Sequence, residues 1–294
     1  MATVEDQTDA PLPLLRSRSA ESHKGDYGRA LLVGGSRGMS GAIALAGMST
    51  LRSGAGLVTL AVPRSVQDVV SSFEASYMTH GLSEDDGRIA VEAAQEVEQF
   101  ATTATAVALG PGLGRAPALT DFVANVFGTI ASPMVVDADA LFALAERRQS
   151  LAAPGGPRVL TPHPGEFARL VGSMPEGSHR ISAAGELARR DAGGRTIVVL
   201  KGHETVVTNG TRYSLNHTGN PGMATGGSGD VLTGIITALL CQGLEPFDAA
   251  RLGVHVHGLA GDLAAADLGQ VSLIASDLIG HLPKAFLSLT TGQR

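Results

Sequence analysis

The sequence predicts an α/β protein in which a mostly parallel central sheet is covered by helices on both faces. Short apolar runs alternate along the chain with segments of helical periodicity. Runs that are apolar on both faces are typical of buried parallel strands. Of the 294 residues, 44% are hydrophobic, which suffices for one large core. With neither a linker nor an internal repeat, we expect a single domain over residues 26–294, preceded by a flexible polar arm over residues 1–25.

The elements follow one another in a regular order. The predicted strands are A-L-L-V (30–33), L-V-T-L-A-V (57–62), T-A-V-A-L (105–109), P-M-V-V (133–136), R-V-L (158–160) and T-I-V-V-L (196–200). Helical patterns follow the first five, including S-V-Q-D-V-V-S-S-F (65–73) and a segment near 117–127. Asn209-Gly210 then lies between two β-like runs, which predicts a hairpin near 204–215. Helices over 227–241, 247–268 and 276–288 are expected to complete the domain.

Glycine-rich or charged loops come directly after the predicted strands. These loops are G-G-S-R-G (34–38), G-P-G-L-G (110–114), D-A-D (137–139), T-P-H-P-G-E (161–166) and K-G-H (201–203). In open parallel sheets, ligands bind outside the carboxyl ends of the strands. We therefore expect these loops to share one edge of the sheet and to form the functional site.

The turn T-G-G-S-G-D (225–230) opens an apolar helix and is suited to an anion. Glycines allow successive amides to turn inward, and the helix N-terminus adds a partial positive charge. Asp230 would repel a phosphate, but it could accept the proton of a hydroxyl that attacks one. The alternative is that Ser228 or Asp230 only caps the helix. The turn holds no lysine, so it is not the Walker A loop of nucleotide-binding proteins.

The loop G-G-S-R-G-M-S-G (34–41) resembles the dinucleotide fingerprint of short-chain dehydrogenases. However, Ser40 stands where the last glycine of that motif should be. None of the three tyrosines, Tyr27, Tyr77 and Tyr213, has a lysine four residues later. Because the catalytic Tyr/Lys pair is missing, the loop is weak support for a nicotinamide redox enzyme.

Polar side chains in three of the loops have both functional and structural interpretations. The prolines around His163 stiffen a turn that could aim this side chain and Glu166, although Glu166 also suits the first turn of a helix. Asp137 and Asp139 could contact Mg²⁺ directly or through water, and we favour Asp139 as a helix N-cap. Lys201 ends a buried strand, which implies a phosphate, a nearby acid or a snorkelling side chain.

Several classes of function are disfavoured by composition. A net charge of −6 argues against nucleic acid, which requires a basic face. The single cysteine, Cys241, cannot form an internal disulfide and is interpreted as an inert core residue of a cytoplasmic protein. The N-terminus lacks the apolar segment of a signal peptide, and no apolar run approaches the ~18 residues of a membrane helix. His255 and His257 lie in an apolar helical run and are interpreted as packing or interface residues.

Taken together, these stretches resemble the ADP-dependent NAD(P)H-hydrate dehydratases, a branch of the ribokinase-like superfamily. The resemblance extends from Lys24 to Leu287 and implies a ribokinase-like three-layer α/β/α sandwich. It is carried by G-G-S-R-G-M-S-G-A-I-A-L-A-G, G-P-G-L-G, V-V-D-A-D-A-L, L-T-P-H-P-G-E, L-K-G-H-E-T-V-V, N-P-G-M-A-T-G-G-S-G-D-V-L-T-G and S-L-I-A-S-D-L-I, in this order. In many bacteria this domain follows an epimerase domain. The arm here is too short for one, so a stand-alone dehydratase is expected.

The resemblance also assigns roles to individual positions. Asp230 matches the catalytic base and touches the substrate as well, while Ala42, Gly112 and His163 match further substrate contacts. The positions that match ADP or AMP contacts are Lys201, Gly202, His203, Glu204, Thr205 and Gly229. Gly226, Gly227 and Ser228 form the phosphate loop with Gly229.

Glu166 falls where related kinases with T-P-N-x-x-E place the glutamate of a Mg²⁺ network. His163 replaces the asparagine of that kinase motif, which favours the dehydratase branch. The implied metal contact of Glu166 is indirect.

The implied reaction restores NADH or NADPH from the hydrated coenzyme, with ADP as phosphoryl donor and Mg²⁺ present. An epimerase for the hydrate is the expected functional partner. A dimer or tetramer is expected because the small-residue helix at 41–50 can pack closely. The rival predictions are a ribokinase-like kinase for a vitamin-type small molecule, such as a hydroxyethylthiazole-kinase-like enzyme, and a non-catalytic nucleotide sensor. A sensor has no use for a base such as Asp230.

Overall fold

A computed structural model describes residues 4–173 and 179–291. The strands are β1 (Glu5–Asp6), β2 (Arg29–Val33), β3 (Leu57–Pro63), β4 (Met78–Leu82), β5 (Glu84–Asp85), β6 (Arg88–Ile89), β7 (Ala106–Leu109), β8 (Met134–Val136), β9 (Arg158–Leu160), β10 (Thr196–Leu200), β11 (Thr205–Thr208) and β12 (Arg212–Asn216). The α-helices are α1 (Ser40–Arg52), α2 (Gln67–Ser71), α3 (Ala93–Ala101), α4 (Pro117–Thr129), α5 (Ala138–Glu146), α6 (Pro164–Val171), α7 (His179–Ala188), α8 (Ser228–Cys241), α9 (Pro246–Leu268) and α10 (Ala275–Thr291).

The central sheet has ten strands in the order β1-β12-β11-β10-β9-β8-β7-β2-β3-β4. All pairs from β10 to β4 are parallel, whereas β11 pairs antiparallel with both β10 and β12. The predicted hairpin is confirmed, and Gly210 in its turn has a φ of 86°, a left-handed conformation that glycine adopts without strain. The mostly parallel sheet predicted from the apolar runs is therefore confirmed.

Alternate residues of β2, β3 and β7 to β11 enter two separate hydrophobic cores. Leu32 and Val199 point into one core, while Leu31 and Val198 point into the other. Helices α1, α8, α9 and α10 cover the first face, and α3 to α7 cover the second. This arrangement confirms the three-layer sandwich, and it explains why the strands are apolar on both faces.

Helix α1 packs against α8 at a distance that only glycine permits. A Cβ atom on Gly234 of α8 would lie 1.9 Å from Ser49 Oγ and 2.2 Å from the carbonyl oxygen of Ala46. Thr50 Oγ1 also donates to the Gly234 carbonyl at 3.2 Å. Ala46, Ser49 and Thr50 of α1 therefore serve a contact inside the domain, and the expected dimer or tetramer stays a prediction.

Part of the predicted flexible arm is attached to the sheet. Glu5 and Asp6 pair in parallel with Arg212 and Tyr213 of β12. Arg251, on α9, donates to the carbonyl oxygens of residues 7 and 10 at 2.9 and 2.8 Å. Main-chain groups make most of these contacts, and so the polar composition of the arm did not reveal them.

The region between β3 and β7 differs most from the prediction. Strands β4 to β6 and helix α3 were not predicted, and the helix expected over 65–73 is a 3₁₀ turn at Arg64–Val66 followed by α2. Among the described residues, none of the helices combines the length and apolarity that a membrane crossing requires.

Candidate active site

The predicted ligand loops meet at one edge of the sheet, beside a cavity of about 810 Å³. This volume lies within the range of small-molecule sites, roughly 300–1,000 Å³. The predicted site residues that line the cavity are His163, Glu166, Lys201, Gly202, His203, Glu204, Thr205, Gly227, Ser228, Gly229 and Asp230. Gly226, Ala42 and Gly112 are outside its lining. The structure thus brings the predicted nucleotide residues together with the predicted base.

The glycine turn leaves the start of α8 without a side-chain cap. The N-cap is Gly227, whose φ of 90° and ψ of −12° are left-handed. The first helical bond is donated by Val231 N to the Gly227 carbonyl at 3.1 Å. Among the described residues, the amides of Gly229 and Asp230 have no acceptor. Free amides at a helix N-terminus form an anion site, and the capping alternative for Ser228 and Asp230 is not what the structure shows.

Asp230 lines the cavity from the first turn of α8. Burial raises the pKa of its carboxyl to about 7; Asp137 adds to this shift, while Lys201 opposes it. None of the described residues donates a hydrogen bond to this carboxylate. A general base is most effective when its pKa is near the working pH, and Asp230 meets this condition.

Lys201, which directly follows β10, is held by a nearby acid. Its Nζ lies 2.7 Å from Asp137 Oδ1, and the other carboxylate oxygen of Asp137 accepts from Thr233 Oγ1 at 2.9 Å. Burial alone would lower the pKa of Lys201, but Asp137 and Glu166 raise it above its usual value. A Cβ on Gly229 would lie 3.2 Å from Nζ. The lysine therefore keeps its positive charge directly beside the glycine turn.

His163 and Glu166 form a capping box at the start of α6. His163 Nδ1 accepts from the amide of Gly165 at 3.0 Å, and Glu166 Oε2 accepts from the amide of His163 at 2.8 Å. Burial and Lys201 lower the pKa of His163. Burial raises the pKa of Glu166 to about 7, against the effect of Lys201. Both side chains thus have a structural role at the helix start and also line the cavity.

Two of the predicted substrate positions, Ala42 at the start of α1 and Gly112 in the loop after β7, pack against each other next to the glycine turn. A Cβ on Gly112, whose φ is 62°, would lie 2.4 Å from the carbonyl oxygen of Met39 and 3.0 Å from Ala42 Cβ. One turn further along α1, Leu45 Cδ1 lies 2.6 Å from the position of a Cβ on Gly227. Ala42 and Gly112 are therefore close to the phosphate loop but outside the lining of the cavity that holds the nucleotide residues.

Asp139 is not the predicted N-cap. Its carboxylate accepts from the amide of Gly114 at 2.9 Å and pairs with Arg115 Nε at 3.0 Å. Asp137 holds the N-cap position of α5, and it makes no side-chain capping bond. Tertiary partners from the neighbouring loop thus determine where Asp139 points.

Two residues of the site were not predicted to have a role there. Thr233 donates to Asp137, and His257 lies on the cavity wall with Nε2 2.9 Å from the carbonyl oxygen of Ser228. Both contacts join residues that are far apart in the sequence. No local pattern could have revealed them.

The charged groups of the cavity do not form a metal cage. The described residues contain no group of three or more His, Cys, Asp or Glu side chains arranged to hold a metal ion. Asp137 is engaged by Lys201 and Thr233, and Glu166 by the amide of His163. Mg²⁺ commonly binds through phosphate oxygens, waters and one or two carboxylates. The donor set fits an ion of this kind, carried by a phosphate ligand.

Comparisons with known proteins agree with this geometry. The model of the family described as NAD(P)H-hydrate dehydratase matches residues 30–284. The bifunctional NAD(P)H-hydrate repair enzyme of Moorella thermoacetica is 46% identical over 280 residues, which cover 94% of this chain and 52% of that protein. The chain thus spans about half the length of this curated relative.

Solved structures show the same similarity. The ADP/ATP-dependent NAD(P)H-hydrate dehydratase of Bacillus subtilis, co-crystallised with ATP and Mg²⁺, has a TM-score of 0.78 and 33% identity, over 97% of this chain and 99% of that one. A ribokinase-like superfamily protein of Enterococcus faecalis has a TM-score of 0.78 and 25% identity, over 94% and 92% of the two chains. The ribokinase-like fold is therefore confirmed. Since the family model covers most of the sequence, the chain belongs to the NAD(P)H-hydrate dehydratase family.

Proposed function

We propose that this protein dehydrates the S-form of NADH hydrate and NADPH hydrate to NADH and NADPH, with ADP as the phosphoryl donor. The observation that carries the proposal is the pairing of Asp230, whose pKa is raised to about 7, with the uncapped first turn of α8. A base and an anion site share one helix terminus. Membership of the dehydratase family supports the choice of substrate.

In the first step, Asp230 accepts the proton of the hydroxyl on C6 of the hydrated ring while that oxygen attacks the β-phosphoryl group of ADP. The amides of Gly229 and Asp230 stabilise the negative charge that develops on the phosphoryl group, as preorganised donors do elsewhere. Lys201 adds a positive charge beside the turn. AMP leaves, and the substrate now carries a phosphate in place of a poor leaving group.

In the second step, the lone pair of the ring nitrogen expels phosphate, and a proton is lost from the neighbouring ring carbon. The products are the dihydronicotinamide, AMP and phosphate, so the net change in the coenzyme is the loss of water. The ADP residues would be Lys201 to Thr205 with Gly229. Ala42 and Gly112, next to the turn, and His163, on the cavity wall, would contact the substrate.

Magnesium fits this site as an ion carried by the nucleotide. When bound, it would neutralise phosphate charge, and Glu166 would contact it through water. The B. subtilis relative was crystallised with ATP and Mg²⁺, which supports a bound nucleotide with its metal here. The preference for ADP remains part of the proposal.

The cellular setting is also proposed. The curated relative is a bifunctional repair enzyme of about twice this length, and we infer that an epimerase interconverting the hydrates is the functional partner of this chain. A cytoplasmic location and a homo-oligomer complete the proposal.

The test mixes purified protein with ADP, Mg²⁺ and NADH hydrate, and follows the absorbance of reduced nicotinamide together with AMP and phosphate release. We expect all three signals to rise in equal amounts. A stable phosphorylated product without recovery of NADH would instead indicate the small-molecule kinase. Absence of any turnover with either ADP or ATP would contradict the dehydratase.

A further inference from the structure

Helix α9 holds the chain segment that leads into the glycine turn. Thr218 Oγ1 donates to the carbonyl oxygen of His255 at 3.0 Å. Asp262, two turns further along the helix, accepts from Gly219 N at 2.9 Å and from Asn220 Nδ2 at 3.0 Å. The segment from residue 218 to residue 228 is therefore anchored by one helix face.

Two glycines of α9 allow this segment to lie directly on the helix. A Cβ on Gly258 would lie 2.2 Å from Thr218 Oγ1, and one on Gly261 would lie 2.2 Å from Met223 Sδ. Such distances are impossible for real side chains, so the close approach depends on glycine. The main chain at Thr218 thus lies directly against the helix at Gly258.

His257 lies between these contacts and reaches the glycine turn itself. Its Nε2 is 2.9 Å from the Ser228 carbonyl oxygen and 3.2 Å from Ser228 Oγ. Because a carbonyl oxygen can only accept, Nε2 must carry the proton. Burial lowers the pKa of His257 to about 4, so near neutral pH the ring is uncharged, with its proton on Nε2.

This protonation state determines what the Ser228 hydroxyl can do. A nitrogen that carries its proton cannot accept, so Ser228 Oγ is an acceptor toward His257 and keeps its own proton free to donate. No other hydrogen bond of this hydroxyl occurs within the described residues. Ser228 lines the cavity at the first position of α8, beside the free amides. The free donor is therefore available to an anion bound at this turn.

We propose that His257 is a positioning residue that orients the Ser228 hydroxyl toward the β-phosphoryl group of the bound nucleotide. The turn then binds a nucleoside diphosphate more tightly than a monophosphate, because only the diphosphate has a phosphoryl group that reaches the Ser228 hydroxyl. This inference rests on the proposed use of ADP, and it adds two side chains to the amides of the phosphate site.

The test compares ADP and AMP affinities, measured by titration calorimetry with Mg²⁺ present, for His257→Leu and His257→Gln. We expect His257→Leu to weaken ADP about tenfold to a hundredfold, the usual effect of losing a hydrogen bond to a charged group, and to leave AMP affinity unchanged. Gln retains an N–H donor at a comparable reach, so His257→Gln should restore most of the ADP affinity. His255→Leu is the matched control on the same helix, because the hydrogen bond of His255 to the segment uses its main-chain carbonyl and the residue does not line the cavity.

Ser228→Ala gives a second and independent measurement. It should reproduce the selective loss of ADP affinity, and adding His257→Leu to it should cause little further loss, since both changes remove the same donor. Equal losses for ADP and AMP in His257→Leu, or additive losses in the double variant, would overturn the inference. Failure of the wild-type protein to bind ADP would contradict the proposed function instead.

Discussion

At the scale of single residues, the carboxyl groups of Asp230 and Glu166 have pKa values that are shifted in the same direction by the same causes. Burial raises the pKa of each carboxyl to about 7, and in both cases Lys201 opposes the shift. Both groups are therefore partly protonated near neutral pH. Only Asp230 lies at the glycine turn, whereas Glu166 accepts a hydrogen bond in the capping box of α6. Position, and not pKa, therefore identifies Asp230 as the proposed base.

Replacing Asp230 by asparagine should abolish turnover while ADP still binds. The amide keeps the shape of the side chain but cannot take a proton, and loss of a general base costs about 100- to 10,000-fold in rate. The kcat measured with NADH hydrate and ADP, together with calorimetric ADP binding, checks this expectation.

Asp139→Asn is the matched control, because its side-chain oxygen can still accept from Gly114. We expect its kcat to stay close to the wild-type value. A near-normal kcat in Asp230→Asn would show that another group is the base.

The rate should rise with pH through about 7. Asp230 acts as a base only when ionised, and its raised pKa means that protonation removes the base below this pH. A profile of kcat/KM against pH in wild type and in Glu166→Gln checks the assignment. Glu166 titrates in the same range, so an acidic limb that persists in Glu166→Gln belongs to Asp230, whereas its disappearance would assign the limb to Glu166.

Asp137→Ala should lower the free energy of unfolding, because it leaves the buried Lys201 charge without its closest partner. Removal of one member of a buried ion pair costs roughly 3–5 kcal/mol. Thr233→Val removes only one hydrogen bond to Asp137, about 1.5–3 kcal/mol, so it should have the smaller effect. Urea unfolding of the two variants shows which one loses more free energy of unfolding. Equal stability of Asp137→Ala and wild type would contradict the conclusion that Asp137 stabilises the buried charge of Lys201.

The charged residues of the site could be predicted from the local sequence better than the residues that contact them. Asp230 and Lys201 stand out because a charge at a helix start or at the end of a buried strand requires an explanation. Asp139 was misinterpreted because an acid near a helix start usually caps it, and the competing donors, Gly114 and Arg115, come from another loop. Partners that are distant in sequence leave no local signal.

At the scale of elements, strands that are hydrophobic on both faces were predicted correctly. β2 and β10 are buried along nearly their whole length, so their apolar runs predicted them correctly. Strand β4 reads M-T-H-G-L, with only Leu82 buried, and lies at the end of the sheet. An edge strand exposed on one side has no such run, which explains why it was missed.

Gly234→Ala should destabilise the contact between α1 and α8. The new Cβ would overlap Ser49 Oγ and the Ala46 carbonyl oxygen, and overpacking of a core typically costs about 1–3 kcal/mol. Gly280→Ala is the control: this exposed helical glycine has open space around its Cβ position, and the change should stabilise α10 by up to about 1 kcal/mol. Thermal unfolding of both variants provides the comparison, and a stable Gly234→Ala variant would contradict the packing argument.

At the scale of the whole molecule, the two sides of the proposed reaction come from different parts of the chain. Ala42, at the start of α1, and Gly112, in the loop after β7, are substrate positions, whereas the loop after β10 and the turn that opens α8 carry the nucleotide residues. The position of these loops at one edge could be predicted from the parallel sheet. The strand order could not, because pairing between distant strands depends on packing across the entire domain.

Removal of residues 1–10 should reduce stability and leave catalysis intact. The deletion takes away β1 and two carbonyl acceptors of the buried Arg251 guanidinium, and an unsatisfied charged donor costs roughly 1–3 kcal/mol or more. None of residues 4–10 lines the cavity, so kcat and KM should be unchanged. Urea unfolding and steady-state kinetics check both parts, and a large fall in kcat would show that this segment supports the site.

The contact at Gly234 also determines how far apart two reactants can be held. Ala42 lies in the first turn of α1, and Asp230 lies in the first turn of α8. Because the two helices touch deep in the core, neither start can shift along the sheet edge without moving the other. The distance between the substrate hydroxyl and the phosphoryl group that it attacks thus depends on a buried helix contact. That contact is possible because residue 234 has no side chain, and it involves none of the residues that would touch either molecule.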